Sequence, residues 1–319
     1  MRTSVRVAIA AACMLAAPPG LAQNFPVKPV RIVVPFAPGG TSDILARLIG
    51  VRITEATGQQ VIVDNRPGAS GTIGAEIVSR APPDGHTLVL MDLGGLVMAP
   101  HLIKLNFDTV KDLTAVTIVS YSPHILCVHP SVPAATLAQL VALAKQRKGA
   151  LNYASAGPAS APHLAGVLFA SRTGIDWTYI PFKGGAQAIL DVASGHTDVL
   201  FNGMLATYPF VANGKLKLIA VSSEKRMPTI PNVPTVAETI PGFVTGSWQG
   251  LFGPANMAPA LAERIHAEFD KVLRLQDTRD KLATQGTEPL STSPAKTAEF
   301  LRSERDRWGK VIKDAGITM

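Results

Sequence analysis

The stretch Val30-Arg-Ile-Val-Val-Pro35-Phe-Ala-Pro38-Gly39-Gly40-Thr41-Ser42-Asp43 constrains this chain more than any other. Its β-branched run reads as a buried strand. The Pro/Gly turn stops that strand, and a helix is expected over Thr41–Thr57, with Leu45, Leu48 and Ile53 near one face and Gly58 at its end. The first amides of such a helix lack intrahelical acceptors and sit at the positive end of its dipole. The junction can therefore hold an anion without a cationic side chain, and a small carboxylate is the natural guest.

The same strand, turn and helix pattern recurs. Strands are expected at 60–63 and 87–91, with Asp64-Asn-Arg-Pro-Gly-Ala-Ser70-Gly71 leading into a helix through Ile77 between them. A second series starts near residue 124. Thr136 caps a helix carrying Leu137, Leu140, Val141 and Ala144. Strands at 151–155 and 177–180 each run into a glycine-bearing turn and a helix. Strands alternating with helices imply an α/β fold with covered, mainly parallel sheets. The stretches 113–128 and 243–252 are extended and apolar, suited to cross between two lobes as a hinge. The expected division is residues 23–123 with 247–319 in lobe 1 and 124–246 in lobe 2. Helices bearing Leu261, Ile265, Phe269 and Val272, and then Phe300, Leu301, Trp308 and Val311, are expected to cover lobe 1.

Residues 1–22 read as an export signal: a positive start, an apolar stretch over 7–17 and Gly20-Leu21-Ala22 as a cleavage site, with cleavage after Ala22. The apolar run is too short for a membrane span of ~20 residues. Export implies a periplasmic location. Removing this segment takes away Arg2 and Arg6 and no acid, so the formal charge goes from +7 to +5. The excess is scattered, with no basic run interleaved with aromatics, so nucleic acid is excluded as a partner class. Only Cys127 remains after cleavage, so no intramolecular disulfide forms. His124, Cys127 and His129 lie on one extended crossing without a fourth ligand, so no metal and no other cofactor is expected.

Ligands in open parallel sheets lie beyond the carboxyl ends of the strands. Facing lobes would gather there Pro38, Gly39, Gly40, Thr41, Ser42, Asp43, Ala69, Ser70 and Gly71 from one side. Ser155, Ala156, Gly157, Ser160, Lys183 and Gly184 would come from the other. Glycines admit close backbone approach and the hydroxyls add donors. Asp43 has two readings, a cap on the free amides of its own turn or a partner for a ligand ammonium or water. His163, at a helix start, either touches a carboxylate or is a hydrogen-bonded structural histidine. Arg66 steers anions or pairs with a surface acid. The chain has no G-x-S-x-G, H-E-x-x-H or Walker loop. A nucleophilic Ser70 or Ser160 served by His163 is the enzymatic alternative, a secreted hydrolase of small esters or amides.

Pro35-Phe-Ala-Pro-Gly-Gly-Thr-Ser-Asp43, Asp64-Asn-Arg-Pro-Gly-Ala-Ser-Gly71, Ala81-Pro-Pro-Asp-Gly-His-Thr-Leu88, Asn152-Tyr-Ala-Ser-Ala-Gly157, Pro181-Phe-Lys-Gly-Gly185, Val233-Pro-Thr-Val-Ala-Glu238 and Trp248-Gln-Gly-Leu occur in this order. Together they resemble the Bug proteins, the extracytoplasmic solute-binding subunits of tripartite tricarboxylate transporters. The resemblance spans essentially the whole chain after residue 22. It implies a type II, Venus-flytrap-like periplasmic binding fold in which amides and waters from both lobes hold one carboxylate. It adds Asp191 as a site candidate. The implied ligand is a small organic acid: a di- or tricarboxylate, an acidic amino acid or an aromatic acid. The implied partners are membrane permease subunits or, as an alternative, a membrane sensor kinase, with the protein itself a monomer and not an enzyme. Three places depart from the family pattern. Pro158 removes an amide donor, Phe182 lacks the frequent tyrosine hydroxyl, and Met91-Asp92-Leu93 is bulkier than usual. The far end of the ligand is where these differences should tell.

Overall fold

The computed structural model describes residues 25–314 and 316–318, so the expected export signal lies outside the described residues. The first strand, β1 (Val30–Val34), is followed by α1 (Thr41–Thr57), β2 (Val61–Asn65), α2 (Thr72–Ser79), β3 (Thr87–Asp92) and the short α3 (Gly94–Val97). Then comes β4 (Leu113–Val128), and after it α4 (Leu137–Arg147), β5 (Asn152–Ser155), α5 (Ala161–Thr173), β6 (Thr178–Pro181), α6 (Gly185–Ala193), β7 (Val199–Gly203), α7 (Met204–Ala212) and β8 (Lys217–Val221). The chain closes with β9 (Gly246–Pro254), α8 (Pro259–Leu273), α9 (Gln276–Ala283), β10 (Glu288–Pro289) and α10 (Pro294–Asp314).

Two parallel trios, β2-β1-β3 and β6-β5-β7, form the outer parts of the sheet system. Between them run β9 and β4, antiparallel to their neighbours. Strand β4 serves both sheets: it pairs with β9 from Leu113 to Pro123, then with β7 and β8 from His124 onward. The two lobes of the fold therefore share one 16-residue strand, and β9 runs beside it as the second connection.

Alternation along the strands explains why both sheets are covered on both faces. Ile32, Leu88 and Leu90 pack with Leu45, Ile49 and Ile53 of α1 and with Ile265 and Phe269 of α8. Their neighbours Val33, Val89 and Met91 point the other way, onto Ala75 and Val78 of α2 and Leu301 and Trp308 of α10. In the second lobe Leu126, Tyr153 and Phe201 meet Leu140 of α4 and Phe169 of α5, while Ile125, Cys127 and Leu200 meet Ile189 and Val192 of α6. The tail helices cover the first lobe, as their spacing implies. Helix α1 ends at Gly58, whose φ of 71° closes the last turn with its N–H on the Thr54 carbonyl.

Candidate functional site

The carboxyl ends of the strands face a narrow cleft with a cavity volume of about 40 Å³. Its wall takes Phe36, Gly40, Thr41 and Ser42 from the first turn, and Ser70, Asp92 and Gly95 from the other turns of the first lobe. Ala156, Ser160, Pro162, Gly185, Asn202 and Gly203 come from the second lobe. His124, Ser247 and Gln249 come from the crossing strands. Among the described residues that line it there is no lysine or arginine.

Three helices of nine residues or more begin at this wall with N-caps that make no side-chain cap bond: α1 at Gly40, α6 at Gly184 and α7 at Gly203. The first amides of α1 and α6 thus present donors without a side-chain acceptor at the positive ends of their dipoles, and α7 adds its own positive end although its Leu205 N–H already donates to Ser122 Oγ at 3.4 Å. Helix α5 is different, because the Ser160 hydroxyl caps it by accepting the His163 N–H at 3.3 Å. Such a constellation stabilises negative charge by oriented peptide groups alone.

Asp43 explains how the first turn is held open. Its carboxylate accepts the Gly39 N–H (2.9 Å), the Asn65 amide (3.0 Å) and the Arg47 guanidinium (3.0 Å), so it braces the turn from behind. Gly39, at φ 85°, lets the chain make that bend. Burial alone would raise the Asp43 carboxyl. Arg47, the Gly39 amide and Asn65 outweigh it and hold the group below the usual carboxylate range. A depressed folded pKa gives stability that is present above about pH 4 and lost as pH falls through the folded value. Asp43→Asn should therefore cost about 2 kcal/mol at neutral pH and flatten the acid limb of the denaturation profile, followed by urea midpoints from pH 3 to 7.

Across the cleft floor runs a directed chain of hydrogen bonds. Ser42 Oγ donates to Gln249 Oε1 (2.7 Å), Gln249 Nε2 donates to Ser247 Oγ (2.7 Å), and Ser247 Oγ donates to Asp92 Oδ2 (2.5 Å). The Gly94 N–H holds Asp92 Oδ1 at 2.8 Å. Asp92 keeps some accessible surface because it lines two cavities, yet protein surrounds it closely. Desolvation pushes its carboxyl up to about 6, against the two hydrogen bonds from Ser247 and Gly94. A raised folded pKa means the folded chain binds this proton more tightly than the unfolded one. Stability should then fall as pH rises from about 4 to about 6, by about 3 kcal/mol, and stay level above. Asp92→Asn should remove that slope, opposite in sign to the effect at Asp43, in the same urea series.

His124 is fully buried; its Nδ1 lies 3.1 Å from Thr245 Oγ1, while Nε2 has no partner. Desolvation pushes this ring down to about 3, so it is neutral. Cys127 packs in the core behind β4, and His129 pairs with Ser131. Among the described residues no three His, Cys, Asp or Glu side chains come together as metal ligands.

Of the residues expected from sequence, Gly40, Thr41, Ser42, Ser70, Ala156 and Ser160 stand on the cleft wall. Others lie at the seam between the lobes. The Lys183 carbonyl accepts the Ala37 N–H (3.3 Å), the Ser70 hydroxyl donates to the Pro158 carbonyl, and Gly157 and Gly184 admit Ser70 and Phe36 closely. Pro38, Gly39 and Asp43 sit behind the wall, while Ala69 and Gly71 flank Ser70 without lining the cleft. Ser155 ends β5 with a buried, unpartnered hydroxyl. His163 Nδ1 accepts the Ala159 N–H (3.3 Å) and its ring meets the Tyr179 edge, with burial pushing the ring down to about 4. Asp191 lies in the later part of α6 beside His196 at 3.6 Å, and Arg66 pairs with Asp64. Both Ser70 and Ser160 donate to backbone carbonyls, Pro158 and Gly157 respectively, and not to an imidazole.

Sequence reasoning did not single out Asn202, Gly203, Ser247 or Gln249. Ser247 and Gln249 carried a readable signal, since polar residues two apart in an otherwise apolar strand mark one face. Gly203 ends a strand and starts a helix, like the turns that were recognised.

The model of the tripartite tricarboxylate transporter family receptor, TctC, matches residues 45–317. The protein BugT of Bordetella pertussis is 30% identical over 95% of this chain and 94% of its own length. A Rhodopseudomonas palustris protein solved with adipate is 34% identical, with a TM-score of 0.89 over 92% of this chain and 99% of that one. MatC of the same organism, solved with bound malate, is 32% identical, with a TM-score of 0.86 over 90% and 100%.

Proposed function

This chain belongs to the tripartite tricarboxylate transporter receptor family, and on that premise we propose that it captures a small carboxylate between its lobes. In this reading it delivers the ligand to the membrane subunits of a tripartite tricarboxylate-type transporter. Residues 23–123 with 247–319 act as one jaw and 124–246 as the other. The protein works as an exported monomer once residues 1–22 are removed after Ala22.

The observation that carries the proposal is the meeting of α1 from the first lobe with α6 and α7 from the second at a wall that, among the described residues, has no lysine or arginine. Peptide amides fixed in three helix ends stabilise a carboxylate without the reorganisation that long cationic side chains require. Because donors come from both lobes, the guest gains its full set of contacts only when the lobes close, and its differential affinity for the closed state drives closure. The Ala37–Lys183 and Ser70–Pro158 bonds reinforce that state. The relatives solved with adipate and with malate support a small carboxylate as the guest.

The test is calorimetric titration of the purified protein, lacking residues 1–22, with di- and tricarboxylates, acidic amino acids and aromatic acids, alongside small-angle scattering. Micromolar binding, about −8 kcal/mol, with compaction is the expected result. A panel without heat or compaction would reject the reading.

A further inference from the structure

One feature of the cleft works against a simple anion trap. Asp92 presents a carboxylate to the same space that the helix ends make positive, and among the described residues no lysine or arginine pairs with it. Both of its oxygens already accept protein donors, Gly94 N–H on Oδ1 and, on Oδ2, Ser247 Oγ with Gln249 Nε2 more distant at 3.4 Å. The group is therefore wired as an acceptor, with Ser42, Gln249 and Ser247 oriented in sequence to donate toward it. Beside it on the wall stands His124, fully buried, with an unpartnered Nε2. When Thr245 donates to Nδ1, Nε2 carries the ring proton, and the ring offers a ligand one further hydrogen bond.

A dicarboxylate laid along this cleft would bring its second carboxylate into a space where, among the described residues, the one charged wall group is negative, and like charges in a desolvated site are costly. A cationic nitrogen there would gain a partner and satisfy the remaining lone pairs of Asp92. We infer that Asp92 sets the ligand class of this site, selecting a carboxylate that also bears an ammonium group, an amino-carboxylate zwitterion, over a dicarboxylate. The carboxylate end lies at the helix termini of α1, α6 and α7, and the ammonium end at Asp92. This inference rests on the carboxylate-capture reading above.

The other titratable or charged groups sharing the two cavities with Asp92 are His124 in the cleft and Tyr121, Glu304 and Arg307 in the outer one. Glu304 and Arg307 pair with each other at 2.6 Å. His124 stays neutral above pH 4 and burial raises Tyr121 to about 12. Neither therefore changes charge between pH 5 and 8.

The test compares length-matched probes by calorimetry on the protein lacking residues 1–22: 3-aminopropanoate against succinate and 4-aminobutanoate against glutarate, at pH 7.5 and 5. The amino acids should bind at least about tenfold more tightly than their dicarboxylate partners at pH 7.5. That preference should shrink at pH 5, where Asp92 takes up its proton. Asp92→Asn should abolish the preference and its pH dependence, and Asp92→Ser provides the same reading should the amide disturb Ser247. Dicarboxylates that bind more tightly in the unaltered protein, with a preference unmoved by either substitution, would overturn the inference and leave carboxylate capture standing. Absence of binding by every probe and by the wider carboxylate panel would remove both.

Discussion

Replacing Gly203 by valine should weaken ligand binding by about ten- to a hundredfold while leaving the unfolding of the ligand-free protein nearly unchanged. Gly203 ends β7 and begins α7, and a β-carbon built there would lie 3.0 Å from the Thr41 hydroxyl of the opposite lobe. Its backbone, at φ −58°, tolerates any residue, and the next neighbour, Ser247 Cβ, is at an ordinary 3.5 Å, so the tight contact is the one made when the lobes meet. Overpacking of this kind costs about 1–3 kcal/mol, and a cost confined to the closed state lowers apparent affinity in proportion. Gly203→Ala should give a graded, smaller loss. Titration calorimetry beside differential scanning fluorimetry separates the two effects. Unchanged affinity in Gly203→Val would place the guest elsewhere.

The second large effect concerns stability and leaves the cleft aside. Gly166→Ala, midway along α5, should destabilise the fold by about 3 kcal/mol and lower the thermal midpoint by about 6–12 °C. An added carbon would sit 2.5 Å from the Tyr153 ring. That ring has little freedom to yield: it is fully buried, stacks on Trp177 at 4.7 Å, donates its hydroxyl to the Pro162 carbonyl and accepts the Phe201 N–H at 3.2 Å. A midpoint shift below about 2 °C would show that α5 can slide away from the strand, contrary to the packing of Phe169 beneath it.

What was legible in the sequence follows from how strongly each segment is patterned. Helix α1 has an uncapped glycine start, an apolar stripe and a glycine stop, and its expected bounds match the structure. The crossing strand β4 is a long apolar run that no helix period fits, and it too appears as expected. Strands β7 and β8 and helix α7 were not anticipated. All five residues of β7 are buried, so no alternation shows, and α7 holds Pro209 inside an almost wholly apolar segment. Those elements carry Asn202 and Gly203, and so part of the cleft was lost with them. The turns flagged as a binding wall divide between wall and seam. Glycine richness at 38–43, 155–160 and 183–185 reflects close backbone approach, and approach of one lobe to the other needs it as much as approach to a ligand. Only geometry tells Gly40, on the wall, from Gly184, against Phe36.

The position of β9 between β3 and β4 has a consequence for assembly. Residues 246–254 supply the strand that joins the early trio of the first lobe to the shared crossing strand, across sequence separations of more than a hundred residues. Until that late segment arrives, β3 and the first half of β4 present bare hydrogen-bonding edges. The second lobe, by contrast, closes its own trio within residues 152–203. Formation of the whole should therefore be paced by the return of the carboxyl-terminal quarter, and a chain halted before residue 246 should pass into aggregates through those edges.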